Sequence, residues 1–374
     1  MQRLIYLSSF EYPSTHAHPL HALLMARAFH KALGDQFLFV VGGGVRDSSL
    51  GTVPHASPFK GSSSLIKFLH LRSVGYALWL FYFLLRNRVW RENLIIFTND
   101  LRLAAVASFI KNFFKFMLVC EVHGTSGLLD NLVARRADKI VFVTEGLKDL
   151  FEKSYTGITN KSTVISNGVD FERFAGVNGA GIRKQLGLPE DTKVIAYTGR
   201  FKPMQSDKGI TFLIDTVSSL PENVQLLLVG GTETEVEEMR IYAETQGVSK
   251  RVVIVGHVPV DQVPSYTAAA DILAYVPPRT DAFLARETSP MKLFEYMAIG
   301  KPIIASDLAA FREALGEGTA QFITPGSKEE FIKAVQEILA GGEEIASQTT
   351  RATERASRNS WNARAERILD ISKI

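Results

Sequence analysis

The chain has 374 residues, 46% of them hydrophobic, which is enough apolar material for two cores at ~150 residues per domain. Its 42 Lys and Arg nearly balance 39 Asp and Glu, which excludes the one-sided basic charge of a dedicated nucleic-acid binder. Cys120 is the single cysteine, so no intramolecular disulfide can form and a reducing compartment is expected.

In chain order, the short apolar run ending at Leu7 is too brief for a signal peptide's core and reads as a strand over Arg3 to Ser9. Pro19 to Leu33 reads as a helix with proline in its first turn, and Phe37 to Val41 as a second buried strand closed by Gly42-Gly43-Gly44. Strand, helix, strand is the opening of a parallel α/β sheet. The glycine triplet follows the second strand, so it lacks the spacing of a dinucleotide-binding turn. His16, His18 and His21 lie close together between the first strand and the body of the first helix. They read either as a zinc-type ligand set or as polar side chains of a metal-free active-site loop, and the absence of a Cys or carboxylate cluster favours the second.

Gly51 to Ser64 is loop-like, and Leu65 to Arg91 is strongly apolar with Lys60, Lys67, Arg72, Arg86, Arg88 and Arg91 at its flanks. The charge-free stretch Ser73 to Leu85 is shorter than the ~20 residues a bilayer crossing needs. It fits a buried core helix, a dimer interface, or a segment docking on an anionic membrane surface. Strands follow at Leu94 to Thr98, Phe116 to Val122, Lys139 to Val143 and Thr163 to Ile165, with helices at Leu101 to Asn112 and Glu145 to Lys153. Val177 to Asp191 reads as the interdomain linker. The second half repeats the pattern with strands at Val194 to Thr198, Gln225 to Val229, Val252 to Val255, Asp271 to Tyr275, Pro302 to Ala305 and Gln321 to Ile323.

Parallel strands end at one sheet edge, and that edge collects the chemistry. Gly199-Arg200 follows one strand, Lys208-Gly209 opens a helix, and His257 follows another strand. Glu287-Thr-Ser289-Pro290 precedes a helix from Met291 to Ile299, which Gly300 stops. A Ser-Pro pair leaves the first-turn amides at Met291 and Lys292 open to an anion, with Glu295 one turn further on.

The stretch Arg286 to Asp307, with Glu287 and Glu295 and then Tyr-Met-Ala-Ile-Gly-Lys-Pro, resembles the signature of the retaining GT-B glycosyltransferases of family 4. Asn167-Gly168-Val169-Asp170, His123-Gly124, Gly199-Arg200 and Lys208-Gly209 are similar to further segments of that family. The first-strand loop lacks the family's paired glycines. The resemblance implies an α/β protein of GT-B architecture, with two Rossmann-like domains (1–180 on the acceptor side, 190–359 binding the nucleotide-sugar) around a cleft. The last helix, 360–374, is expected to cross back to the N-terminal domain. It further implies that Arg200 and Lys208 clamp the diphosphate, that Glu295 contacts the ribose, and that Glu287 and His123 position the donor sugar. Gly199, His257, Ser289, Pro290, Met291 and Lys292 complete the expected substrate-binding set. No metal and no cofactor are expected, the nucleotide-diphosphate sugar being a co-substrate and a glycan or lipid-linked molecule the acceptor. The expected setting is the cytoplasm, with peripheral membrane contact through 65–91. A GT-B epimerase, a phosphorylase and a non-catalytic nucleotide-sugar-binding subunit are the rival readings.

Overall fold

The structure, a computed structural model, describes residues 2–12, 17–44, 53, 55–56, 71–87, 93–201, 207–278 and 282–373. His16, Lys67 and the ends of the 65–91 segment lie outside these residues. The chain divides into two compact units, Met1–Ser166 with Trp361–Ile374, and Asn167–Ser360.

The first unit is built on a seven-stranded sheet. Its order is His55–Ala56, Phe37–Val40, Gln2–Leu7, Asn93–Thr98, Met117–Val122, Lys139–Phe142, Ser162–Val164, and every pairing is parallel. Parallel strands are covered on both faces and therefore read as continuous apolar runs. On one face Ile5, Leu7, Ile96, Leu118 and Val122 join a core with Leu80, Leu84, Leu103 and Leu147. On the other, Tyr6 packs against Phe29, Phe39 and Phe97 at centroid separations of 6.2, 5.0 and 4.9 Å. The helix Ala17–Leu33 begins earlier than the sequence pattern predicts, so His18 and His21 stand on its first turns and not in a loop.

The apolar segment forms the helix Leu71–Asn87. Tyr76, Leu80 and Leu84 make a buried stripe at helical spacing, while Val74, Leu78, Tyr82 and Leu85 are more than half exposed. The core-helix reading thus accounts for one side of this helix only.

The second unit carries a six-stranded parallel sheet in the order Val252–Ile254, Val224–Val229, Lys193–Thr198, Ile272–Tyr275, Ile303–Ser306, Gln321–Ile323. The chain enters it earlier than the composition suggests. Val169 N–H donates to Asn359 O at 3.0 Å, Phe174 is buried in the second core, and Arg183 pairs with Asp271 at 2.7 Å. The glycine-rich stretch from Val177 therefore belongs inside this unit. Among the helices that the sequence pattern does not announce are Leu128–Arg136 in the first unit and Val263–Ala268 and Ala309–Leu315 in the second.

Gly209 precedes the helix Ile210–Thr216 at φ 81°, and a Cβ there would stand 2.2 Å from Val276 O. Gly157 has φ 76° with nothing within 4 Å of its Cβ position. An alanine at Gly157 carries only the left-handed penalty of about 1–2 kcal/mol. Gly209→Ala adds a clash with main chain, so its loss of unfolding free energy should exceed that of Gly157→Ala by at least ~1 kcal/mol. Equal denaturation midpoints for the two variants would show that the approach at Gly209 is not tight.

Candidate active site

In the second sheet the strand order reverses between Lys193–Thr198 and Ile272–Tyr275, and ligands of open parallel sheets bind at the carboxyl ends of such strands. Gly199 leaves the first of these strands, its N–H donating to Val229 O at 2.8 Å. Arg200 follows with an exposed side chain, its carbonyl accepting from Tyr197 Oη at 2.8 Å. Gly209 lies against the chain that leaves the second strand at Val276.

The helix Met291–Ile299 forms where the sequence places it, and Gly300 ends it at φ 72°. Its N-cap is Pro290, and no side chain caps its first turn, so its opening amides are left to a ligand or to water. The loop before it is fixed by Asn167. The Asn167 backbone N–H donates to Ser289 Oγ at 3.1 Å and its Nδ2 to Ser289 O at 2.6 Å. The buried Ser289 hydroxyl is thereby occupied with holding the loop. Glu287 is half-buried, and its N–H donates to Phe283 O at 2.8 Å.

Lys292 shapes this edge more than the sequence suggests. Its ammonium donates to Thr198 O and lies 4.1 Å from the Tyr197 ring centroid and 5.2 Å from that of Tyr275. A Cβ on Gly199 would meet Lys292 Nζ at 2.0 Å, so the glycine makes room for the amine. Burial, only partly offset by Glu295 and reinforced by Lys208, pushes the Lys292 amine down to about 7. Burial likewise raises the Glu295 carboxyl, against the pull of Lys292 and Arg173. The structure thus brings Lys208, Lys292 and Glu295 into electrostatic contact beside an open helix N-terminus, with Gly199 making room for the Lys292 amine. It leaves His257 exposed beyond Val252–Ile254, two strands from Lys193–Thr198.

The first unit holds a second cluster, at the carboxyl end of Met117–Val122. Glu121 is fully buried there, with Oε1 3.1 Å from His21 Nε2 and also in contact with His123 Nε2. Its Oε2 accepts from Arg364 Nη1 at 2.9 Å. Burial raises the Glu121 carboxyl, but Arg364, His21 and His123 outweigh this and hold it well below the usual range. Burial lowers His21 to about 4 despite Glu121, so that imidazole is neutral at pH 7. Burial and then His123 lower His18, whose ring stands 5.7 Å from that of His123. Asp130 fixes the turn beyond His123 by accepting from Ser126 N–H at 2.6 Å and Gly127 N–H at 2.8 Å.

His21, Glu121 and His123 offer three converging atoms of the kind that bind zinc. The Arg364 guanidinium already balances the carboxylate, however, and a divalent ion would add uncompensated buried charge. Sequence reasoning missed Glu121, although a glutamate inside an apolar strand run is itself a signal. It also missed Tyr197, Tyr275 and Arg364, for which no local signal exists.

Residues 192–341 match the family model described as Glycosyl transferases group 1. The D-inositol 3-phosphate glycosyltransferase of Corynebacterium glutamicum is 28% identical over 266 residues, 68% of this chain. The match spans 59% of that relative's length, under two thirds. Among solved structures, Anabaena Alr3699/HepE in complex with UDP superposes with a TM-score of 0.76 at 20% identity, covering 98% of both chains, and the same protein is also solved with UDP-glucose. The lipopolysaccharide outer core galactosyltransferase WaaB superposes at 0.71 with 18% identity, covering 99% of both chains. Residues 192–341 are thus similar to the glycosyl transferases group 1 model, and the two parallel α/β units have the GT-B fold.

Proposed function

We propose that the protein is a retaining, metal-independent glycosyltransferase that moves a sugar from a nucleotide-diphosphate donor to an acceptor hydroxyl. The observation that carries this reading is the uncapped helix N-terminus at Pro290 to Lys292, with Lys208 and Lys292 in electrostatic contact beside it. A helix dipole and two amines stabilise a departing diphosphate as its charge grows. Arg200 and Lys208 act as the diphosphate clamp, Glu295 binds the ribose, and Glu287 and His123 position the donor sugar. No side-chain nucleophile is assigned; the leaving phosphate oxygen takes the acceptor proton in a front-face displacement.

Lys208→Ala or Arg200→Ala should lower turnover with a nucleotide-sugar by about 10²-fold, the scale of one strong transition-state contact. Activity of the parent should survive chelator treatment. Rates within a few-fold of the parent in both variants would remove the clamp, and loss of activity on chelation with recovery on adding a divalent ion would remove metal independence.

The depressed Lys292 amine gives a pH signature. At pH 8 it is mostly neutral in the free protein, and a diphosphate nearby favours the ammonium. Binding of UDP should therefore take up a proton, and affinity should fall as pH rises from about 7 towards 9. Calorimetry in two buffers of different ionisation enthalpy reads this directly. Heats independent of buffer, or a Lys292→Met variant with the same proton uptake, would show that another group is responsible.

The acceptor is proposed to be presented at a membrane surface. Exposed Leu78 and Tyr82 on Leu71–Asn87 lie in the same unit as exposed Phe113, and Phe81 touches Phe113 with ring centroids 5.6 Å apart. Lys111, Arg135, Arg136 and Lys161 line a recess in that unit. Aromatic residues with nearby basic charge suit an anionic interface, at about 1 kcal/mol per basic residue. Among the described residues no helix is long and apolar enough to cross a membrane. Binding to anionic vesicles that weakens with salt, and at least tenfold in Leu78→Ser with Phe113→Ser, is the expected outcome of co-sedimentation. Absence of binding at low salt would point to an acceptor in solution.

A further inference from the structure

Glu121 has a double set of partners that the transfer reaction does not by itself require. Arg364, 3% exposed, engages all three guanidinium nitrogens: Nε donates to Ser166 O at 2.9 Å, Nη2 to Ile165 O at 3.1 Å, and Nη1 to Glu121 Oε2 at 2.9 Å and Met25 Sδ at 3.2 Å. It keeps the carboxylate charged and anchors Oε2, while the other oxygen, Oε1, lies beside the Nε2 atoms of His21 and His123. An ionised carboxylate oxygen only accepts, and a ring nitrogen that set its lone pair against it would be repelled. Neither ring N–H is aligned on Oε1 as a formed hydrogen bond, but a carboxylate charge this close favours the hydrogen on each facing nitrogen. His123 Nε2 is buried, while 16% of the side chain is exposed, so whatever the ring offers a ligand comes from its remaining atoms, where Nδ1 is the one acceptor.

We propose that Glu121, oriented by Arg364, is a positioning residue that fixes His123 as the Nε2–H tautomer, so that His123 presents an acceptor suited to a sugar hydroxyl and unsuited to a phosphate. A hydroxyl can donate to Nδ1; a fully ionised phosphate has no hydrogen to give. The ligand side of this inference rests on reading His123 as a sugar contact, whereas the tautomer does not depend on that reading.

The test is long-range proton–nitrogen NMR on the full chain labelled with ¹⁵N-histidine, the His123 signals being identified by their loss in His123→Asn. The expected result at pH 8 is a protonated Nε2 and an unprotonated Nδ1 on both His21 and His123, with Nε2–H protons that exchange slowly with water. Folded Glu121→Gln should exchange these protons at least tenfold faster, and should bind UDP-glucose at least fivefold more weakly with UDP affinity within twofold of the parent. A hydrogen on Nδ1 of His123 in the parent protein overturns the proposal, whatever the folding of the variant. So does an unchanged exchange rate in Glu121→Gln, a parallel weakening of UDP and UDP-glucose, or stoichiometric zinc that is lost in His21→Gln. A parent protein that binds neither UDP nor UDP-glucose would sink the function proposed above while the tautomer measurement still decides this inference.

Discussion

Every strand pairing in the two large sheets is parallel, and that single constraint fixes where chemistry can occur. A parallel strand must be followed by a crossover, so the chain leaves each strand at the same sheet edge, and helices covering the faces begin there. Positive helix ends and strand-terminal loops are then concentrated on one rim. In the second unit this gathers Gly199, Lys208 and the opening of Met291–Ile299, and in the first it brings His123 to the turn that Asp130 holds.

The rim of the second unit is unusual in using a lysine that is not simply solvated. Lys292 lies over Tyr197 and Tyr275 and donates to Thr198 O, contacts that favour the ammonium, while burial disfavours it more strongly. Burial prevails and lowers the amine to about 7. Tyr296, fully buried, accepts from Thr198 N–H at 2.9 Å and keeps that strand end in place beneath the amine.

The second unit was the more legible from sequence because its signals are local. Proline, apolar residues at helical spacing and a terminal glycine define Met291–Ile299 to the residue. Short helices escaped because periodicity needs more than two turns to show: Val263–Ala268 and Ala309–Leu315 are six and seven residues long. Ser289 stands before a helix, which suggests a ligand contact, while the partner that holds its hydroxyl, Asn167, lies 122 positions away. Glu121 stands out as a charge inside an apolar strand, but nothing local announces its counter-ion, 243 residues further on. Distance along the chain, more than weak propensity, separates what could be read from what could not.

That separation between Glu121 and Arg364 also orders events during synthesis. The second unit is one continuous stretch and can close as soon as it leaves the ribosome. The first unit, although translated earlier, must wait with an ionisable group in the strand Met117–Val122 until residue 364 emerges. The second unit runs to Ser360 and Arg364 follows it closely, so the first unit stays open throughout the making of the second, and a chaperone holding the nascent protein is expected to engage the half that was made first.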